Sequence, residues 1–213
     1  MDCCDPSVYD DHFDERNARA QLKTYLRDGP RGSTTRLISE LSAGGVDGLT
    51  VLDIGAGVGA VHHELIAGGA ASATDVDASG PYLEAARGEA TRRGTVDRVT
   101  YLKGDAVALG DAIPAADLVA LDRVVCCYPD MERLVKLAAT RTRRRLGIVV
   151  PRDDAWARAV VAVMNVFSGL GKRPLLAYVH RARDITAVAA AAGLVPASTH
   201  RGGIWQTLVF VRL

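Results

Sequence analysis

From Leu49 onward, short aliphatic runs alternate with amphipathic stretches, and this alternation is the main structural signal in the chain. Leu49 to Ile54, Ala71 to Val76, Val99 to Lys103, Leu118 to Asp122 and Leu146 to Val150 are short and largely apolar, as strands covered on both faces would be. Between them, Ala60 to Ala67, Pro81 to Arg93, Glu132 to Arg144 and Asp154 to Ser168 place apolar residues at helical spacing. Pro81 suits a first helical turn and Gly94 a left-handed stop. Upstream, Tyr9 to Leu26 carries Phe13, Ala18, Leu22, Tyr25 and Leu26 on one helical stripe, halted by Asp28-Gly29-Pro30. A second helix is expected from Ser33, whose hydroxyl can cap it, to Leu41, with Gly44-Gly45 ending it. The tail predicts a helix over Asp184 to Ala192, then a hairpin of Leu194 to His200 and Trp205 to Arg212 around Gly202-Gly203. The rhythm implies an α/β, doubly wound, mostly parallel sheet with helices on both faces. No repeat or low-complexity linker interrupts it, so one domain is expected over residues 1–213, a helical cap over 1–45 and a core over 46–213.

Composition narrows the setting. The 213 residues are 48% hydrophobic and 24% charged, a globular balance long enough for a two-sided core. Lys plus Arg (26) and Asp plus Glu (25) leave a net charge of +1, so no overall field gathers nucleic acid. The basic run at Arg141, Arg143, Arg144 and Arg145 reads as a solvated helix end. No run approaches the roughly 18 apolar residues of a membrane span, and the acidic amino terminus lacks the apolar segment of a secretory signal. A cytoplasmic protein with reduced thiols is expected, acting on a small molecule as a monomer or homodimer. Four cysteines fall in two vicinal pairs, Cys3-Cys4 and Cys126-Cys127. Vicinal spacing suits a tetrahedral metal poorly, so no metal site is expected, although the two pairs would form a soft-metal or metalloid site if they met.

The candidate chemistry lies in VLDIGAGVGA, Val51 to Ala60. A strand ends at Asp53, and Gly55, Ala56, Gly57 and Gly59 turn the chain into a helix. Glycine is needed where backbone approaches a ligand too closely for a Cβ. The spacing lacks the third glycine of a pyrophosphate-binding loop, and an acid beside a pyrophosphate would be repulsive. Asp77, 22 positions after Gly55, ends the second strand, where a carboxylate can accept two ribose hydroxyls; Asp75 is its competitor. Gly104-Asp105-Ala106 follows the third strand. Each acid taken singly fits a helix cap, but three at successive strand ends converge on the crevice where open α/β sheets bind ligands.

With these motifs the chain resembles the class I S-adenosylmethionine-dependent methyltransferases. The resemblance implies a three-layer, seven-stranded Rossmann-like sheet with an antiparallel C-terminal strand and an N-terminal lid helix. It further implies that Asp53 fixes the loop and the donor's ammonium end, and that Asp77 and Ala78 hold the ribose. Asp105 would take the adenine amino group and Ala106 offer its backbone N–H. LDIGAGVGAVHHELIAGGA, AADLVALDRVVCCYPD, the Tyr9 to Phe13 start and the closing hairpin look similar to magnesium-protoporphyrin O-methyltransferases. An oxygen acceptor, carboxylate or hydroxyl, is what this suggests; only the hydroxyl would need a base.

The segment after the fourth strand is where the acceptor is expected to meet the methyl group. Tyr128 is the first candidate for a gate or hydrogen-bonding residue, Cys127 for an acceptor-side wall, and Asp122 for a polar contact near the donor's amino-acid end. Arg123 and Arg152 are candidates to clamp an anionic acceptor, and His180 to act as base or substrate contact. Tyr9 and Phe13 are placed on a lid over the cofactor. His62 and His63 read as structural, Trp156 and Trp205 as core or rim. A nucleotide-dependent oxidoreductase and a non-catalytic cofactor sensor are the competing readings.

Overall fold

In the computed structural model, which describes residues 14–169 and 177–213, the aliphatic runs pair into a single seven-stranded sheet. Its strands are β1 (Thr50–Ile54), β2 (Ser72–Asp77), β3 (Val99–Lys103), β4 (Ala116–Asp122), β5 (Thr142–Pro151), β6 (Leu194–Gly202) and β7 (Trp205–Arg212). They lie in the order β3-β2-β1-β4-β5-β7-β6. The first five are parallel, and β7 runs antiparallel between β5 and β6. The helices are α1 (Glu15–Asp28), α2 (Ser33–Leu41), α3 (Ala60–Ala67), α4 (Gly80–Arg93), the single turn α5 (Ala106–Leu109), α6 (Met131–Arg141), α7 (Ala155–Gly169) and α8 (Ala182–Ala191).

Because strand side chains alternate, neighbouring residues feed opposite cores. Val51, Leu118, Ala120 and Val149 pack with Leu37 and Leu41 of α2, Val61 and Leu65 of α3 and Ala90 of α4. Leu52, Val119, Leu121 and Ile148 pack on the other face with Leu134, Val135 and Ala138 of α6 and Ile185 and Ala189 of α8. Burying one such leucine contributes about 1.5–3 kcal/mol. These two cores give the expected three layers.

Two local expectations are corrected. The stretch through Arg144 is not helical to its end: α6 stops at Arg141, Thr142 is already extended, and Arg143 to Arg145 open β5. The arginines decorate the first residues of a ten-residue strand, where Arg143 and Arg144 are exposed and Arg144 lies 3.6 Å from Asp117. Polar residues there hid the strand's start. Ser33 is the first residue of α2 and not its cap; Gly32 takes that position without a side-chain hydrogen bond. Elsewhere the caps follow the chemistry: Asp14 accepts from Asn17 N at 2.8 Å, and Ser79 from Tyr82 N at 3.3 Å.

The chain leaves β1 toward β2 and β3, then crosses back to β4 on β1's other side. The carboxyl ends of β1 and β4 therefore face a crevice that no connection crosses, as ligand sites in open α/β sheets do.

Candidate active site

A cavity of about 400 Å³ occupies this crevice. Gly55 and Gly57 after β1, Asp77 and Ala78 at the end of β2, Gly104, Asp105 and Ala106 after β3, and Asp122, Arg123, Val124, Cys126, Cys127 and Tyr128 at the end of β4 supply most of its wall. The expected ligand-binding segments of four strands thus share one space.

The glycine loop sits close under its neighbours. Gly55 has φ +65°, and a Cβ there would lie 2.5 Å from Val124 Cγ2. Gly57, at φ +57°, donates its N–H to Asp77 Oδ2 at 2.9 Å, linking the loop to the tip of β2. Asp77 Oδ1 accepts from Ser79 N at 2.8 Å, so both oxygens are oriented by backbone donors and keep lone pairs for a diol. Burial pushes the Asp77 carboxyl up to about 6, against the opposing pull of the Ser79 and Gly57 N–H groups.

Asp105 caps α5, accepting from Ala108 N at 2.8 Å, and receives the Tyr128 hydroxyl at 3.2 Å. Tyr128 thereby ties the tip of β4 to the tip of β3. Asp122 accepts Thr34 Oγ1 at 2.6 Å and pairs with Arg123 at 3.2 Å, which joins α2 to β4. Arg123 has φ +61°, a conformation a non-glycine residue adopts at some cost, and its guanidinium lies 5.9 Å from the centre of the Trp205 ring. Cys126 and Cys127 complete this side of the cavity.

Six candidate residues stand off the cavity. Asp53 is fully buried; its Oδ2 accepts the His62 Nδ1–H at 3.0 Å and the His62 backbone N–H at 3.3 Å, so it braces the first turn of α3 from below. Asp75 is buried beside it, 4.0 Å from His62 Nε2, with its carboxyl held well above the ordinary range by burial and by the Asp53 charge. It does not compete with Asp77 at the cavity. Gly59 caps α3 in a left-handed conformation, where a Cβ would meet the His62 ring at 2.5 Å, and Ala56 is likewise outside the lining. Arg152 is engaged by Asp154 at 2.6 Å and by the Gly203 carbonyl at 3.3 Å. His180 donates from Nε2 to the Tyr128 carbonyl oxygen at 3.2 Å and stacks on Tyr178, which puts it behind the cavity wall. Tyr9, Phe13, Cys3 and Cys4 lie outside the described residues.

Residues 51–145 match the family model described as a methyltransferase domain. Its span runs from the first residues of β1 into β5, so it contains the ends of β1 to β4 that line the cavity. The domain match does not support the oxidoreductase reading. No curated protein matches the sequence. Solved structures match the fold of the chain over this span and its flanks. Magnesium protoporphyrin IX methyltransferase from Synechocystis PCC 6803 with bound SAH shares 22% identity at a TM-score of 0.78, covering 98% of this chain and 100% of that chain. An O-methyltransferase family protein from Burkholderia thailandensis shares 19% identity at a TM-score of 0.73, covering 96% of this chain and 62% of that chain. Mitomycin 7-O-methyltransferase shares 20% identity at a TM-score of 0.65, covering 100% of this chain and 74% of that chain. The seven-stranded architecture matches the Rossmann-like fold of these methyltransferase structures. Among the described residues, no helix is long and apolar enough to cross a membrane.

The cavity also contains residues that pattern reading missed: Gln21 of α1, Tyr82 of α4, Val124, Leu134, Met164 of α7 and Ala177. Tyr82 directly follows Pro81 in a helix that begins at the tip of β2, a signal that was available in the chain. Gln21 and Met164 carry none, because only docking of α1 and α7 brings them in.

Proposed function

We propose that the protein transfers the methyl group of S-adenosylmethionine to an oxygen of a small-molecule acceptor. The observation that carries this reading is the shared cavity of Gly57, Asp77 and Asp105, three strand ends whose chemistry complements an adenosyl group. Asp77 presents two oriented oxygens to the ribose hydroxyls, and Asp105 with the Ala106 N–H faces the adenine. The glycine loop lets the donor's amino-acid arm lie against backbone, with Asp53 acting through His62 and α3 to hold that loop in place.

Displacement at a sulfonium carbon needs alignment and exclusion of water more than proton transfer. The methyl group would point toward the β4 side, where Arg123, Cys126, Cys127 and Tyr128 meet an acceptor. Magnesium protoporphyrin IX and mitomycin, named in two of the matching enzymes, favour an oxygen as the accepting atom. A carboxylate acceptor fits this wall best, since it arrives ionised and Arg123 supplies a cation at the cavity rim. The test has two parts. Calorimetry with S-adenosylhomocysteine should show binding to the wild type and its loss in Asp77→Ala. Labelled methyl transfer over a panel of carboxylates, phenols and amines should yield a base-labile product from a carboxylate; a base-stable product would replace that acceptor class, and binding without turnover on any acceptor would indicate a sensor.

A further inference from the structure

Methyl transfer needs Cys126 and Cys127 only as part of the acceptor-side wall and leaves the chemistry of their vicinal thiols unused. In an extended strand adjacent residues point to opposite faces. Here the tight turn Val125–Cys127 brings the two Sγ atoms to 3.9 Å, and both residues line the same cavity. Both thiols are free, Cys126 buried and Cys127 partly open. Cys126 Sγ donates to the Arg123 carbonyl oxygen at 3.1 Å, so its position is set by the left-handed backbone of Arg123. The contact between the two sulfurs, helped by the Arg123 guanidinium, lowers Cys127 below the ordinary thiol range against the opposing effect of burial, while Cys126 is raised by that same contact and by burial. Cys127, the more open of the two, is the thiol that an incoming ligand meets first.

We infer that Cys126 and Cys127 form a two-thiol receptor for a trivalent thiophilic centre, such as an organic arsenical, at the acceptor end of the cavity. The surroundings select for such a ligand. Asp77, Asp105 and Asp122 already accept hydrogen bonds from Gly57, Ser79, Ala108, Tyr128 and Thr34, so the carboxylates are oriented by donors and not arranged around a hard cation. The sulfurs remain, with the Met164 thioether lining the same space. An arsenical held by two thiolates is uncharged, and its organic arm suits the apolar side chains of Val124, Leu134 and Trp205. With hydrated phenylarsine oxide, two As–S bonds form and two As–OH bonds break. Each thiol proton leaves with a hydroxide as water, and arsenic stays trivalent. The site does not depend on the methyl donor, but its occupant lies in the acceptor's path.

Phenylarsine oxide is the probe. Intact-mass measurement of the wild type should show a phenylarsine adduct that survives excess 2-mercaptoethanol and is removed by 2,3-dimercaptopropanol, the mark of two thiols acting together. Cys126→Ser and Cys127→Ser should each lose the monothiol-resistant adduct, while a Cys3→Ser/Cys4→Ser variant keeps it. Persistence of the adduct in both single serine variants, or its loss in the Cys3→Ser/Cys4→Ser variant alone, would overturn the assignment. Circular dichroism of the variants guards against misfolding. Calorimetry with S-adenosylhomocysteine, run in parallel, separates failure of the donor reading from failure of the thiol site.

Discussion

At Asp77 two demands meet: the carboxylate must be ionised to accept ribose hydroxyls, yet its place at the cavity base disfavours charge. Burial raises its pKa to about 6, so below that value the group is protonated and presents a donor where acceptors are needed. Affinity for S-adenosylhomocysteine should therefore rise as pH increases through about 6 and level off above it, by calorimetry. Asp77→Asn should flatten that profile and weaken binding by about 1.5–3 kcal/mol, the range for hydrogen bonds to a charged group. Unchanged affinity or an unchanged profile in the variant would remove Asp77 from the donor site. A second residue-scale outcome concerns Gly55. Its φ of +65° and the 2.5 Å separation between a would-be Cβ and Val124 mean that Gly55→Ala strains the loop and displaces the start of the acceptor segment. Donor binding should fall sharply in calorimetry although the added methyl touches no donor atom in the expected pose.

Among the elements, α1 shows how a surface helix becomes part of the site. Only Ala18 and Tyr25 of this helix are buried, so it holds by a narrow contact. The Tyr25 hydroxyl donates to Glu64 Oε1 of α3 at 2.6 Å and accepts from Arg93 of α4 at 2.7 Å. Burial and the Glu64 carboxylate raise the Tyr25 pKa, which keeps the hydroxyl a donor. This network fastens the helix one turn from Gln21, which lines the cavity. Tyr25→Phe removes the hydroxyl and leaves Glu64 paired with Arg93 at 3.0 Å. A loss of about 1–2 kcal/mol is expected from the midpoint of urea unfolding, with faster amide exchange confined mainly to α1. Exchange spread evenly over the sheet would mean that α1 is not a separately held element.

Across the whole molecule, the core between the sheet and helices α2, α3 and α4 depends on close approach of α2 to β5. A Cβ on Gly147 would come within 2.2 Å of Leu37 Cδ1, and Leu37 is fully buried. Gly147→Ala should destabilise the protein by about 1–3 kcal/mol through overpacking. Because the clash is with one side chain, combining it with Leu37→Ala should cost less than the sum of the two changes, a coupling readable from urea unfolding. Strict additivity would show that α2 relaxes away from β5 instead. The consequence reaches the cavity, since Thr34 of the same helix holds Asp122 at 2.6 Å.

The chain's local pattern was enough for the strand and helix alternation, the glycine turn and the acids at the ends of β2 and β3, because these follow from short-range rules. Burial on two faces makes a strand apolar, a left-handed turn calls for glycine, and a helix start accepts an acid. Those rules act within a few residues, so β1, α3, β3 and the Gly55–Gly59 turn could be read directly. The start of β5 escaped them, since Arg143 and Arg144 lie beyond the core and carry no apolar signal. Which acid meets the cavity was likewise not a local property. Asp53 and Asp75 are in register on neighbouring strands, point to one face and are covered by α3, whereas Asp77 lies two residues beyond Asp75, at the open strand end. His180 and Arg152 were equally reasonable candidates by residue type, but packing turns one onto the Tyr128 carbonyl and pairs the other with Asp154. Gln21, Met164 and the close approach of the Cys126 and Cys127 sulfurs exist only once helices and turns dock, for proximity between distant segments is set by the assembled cores and not by spacing along the chain.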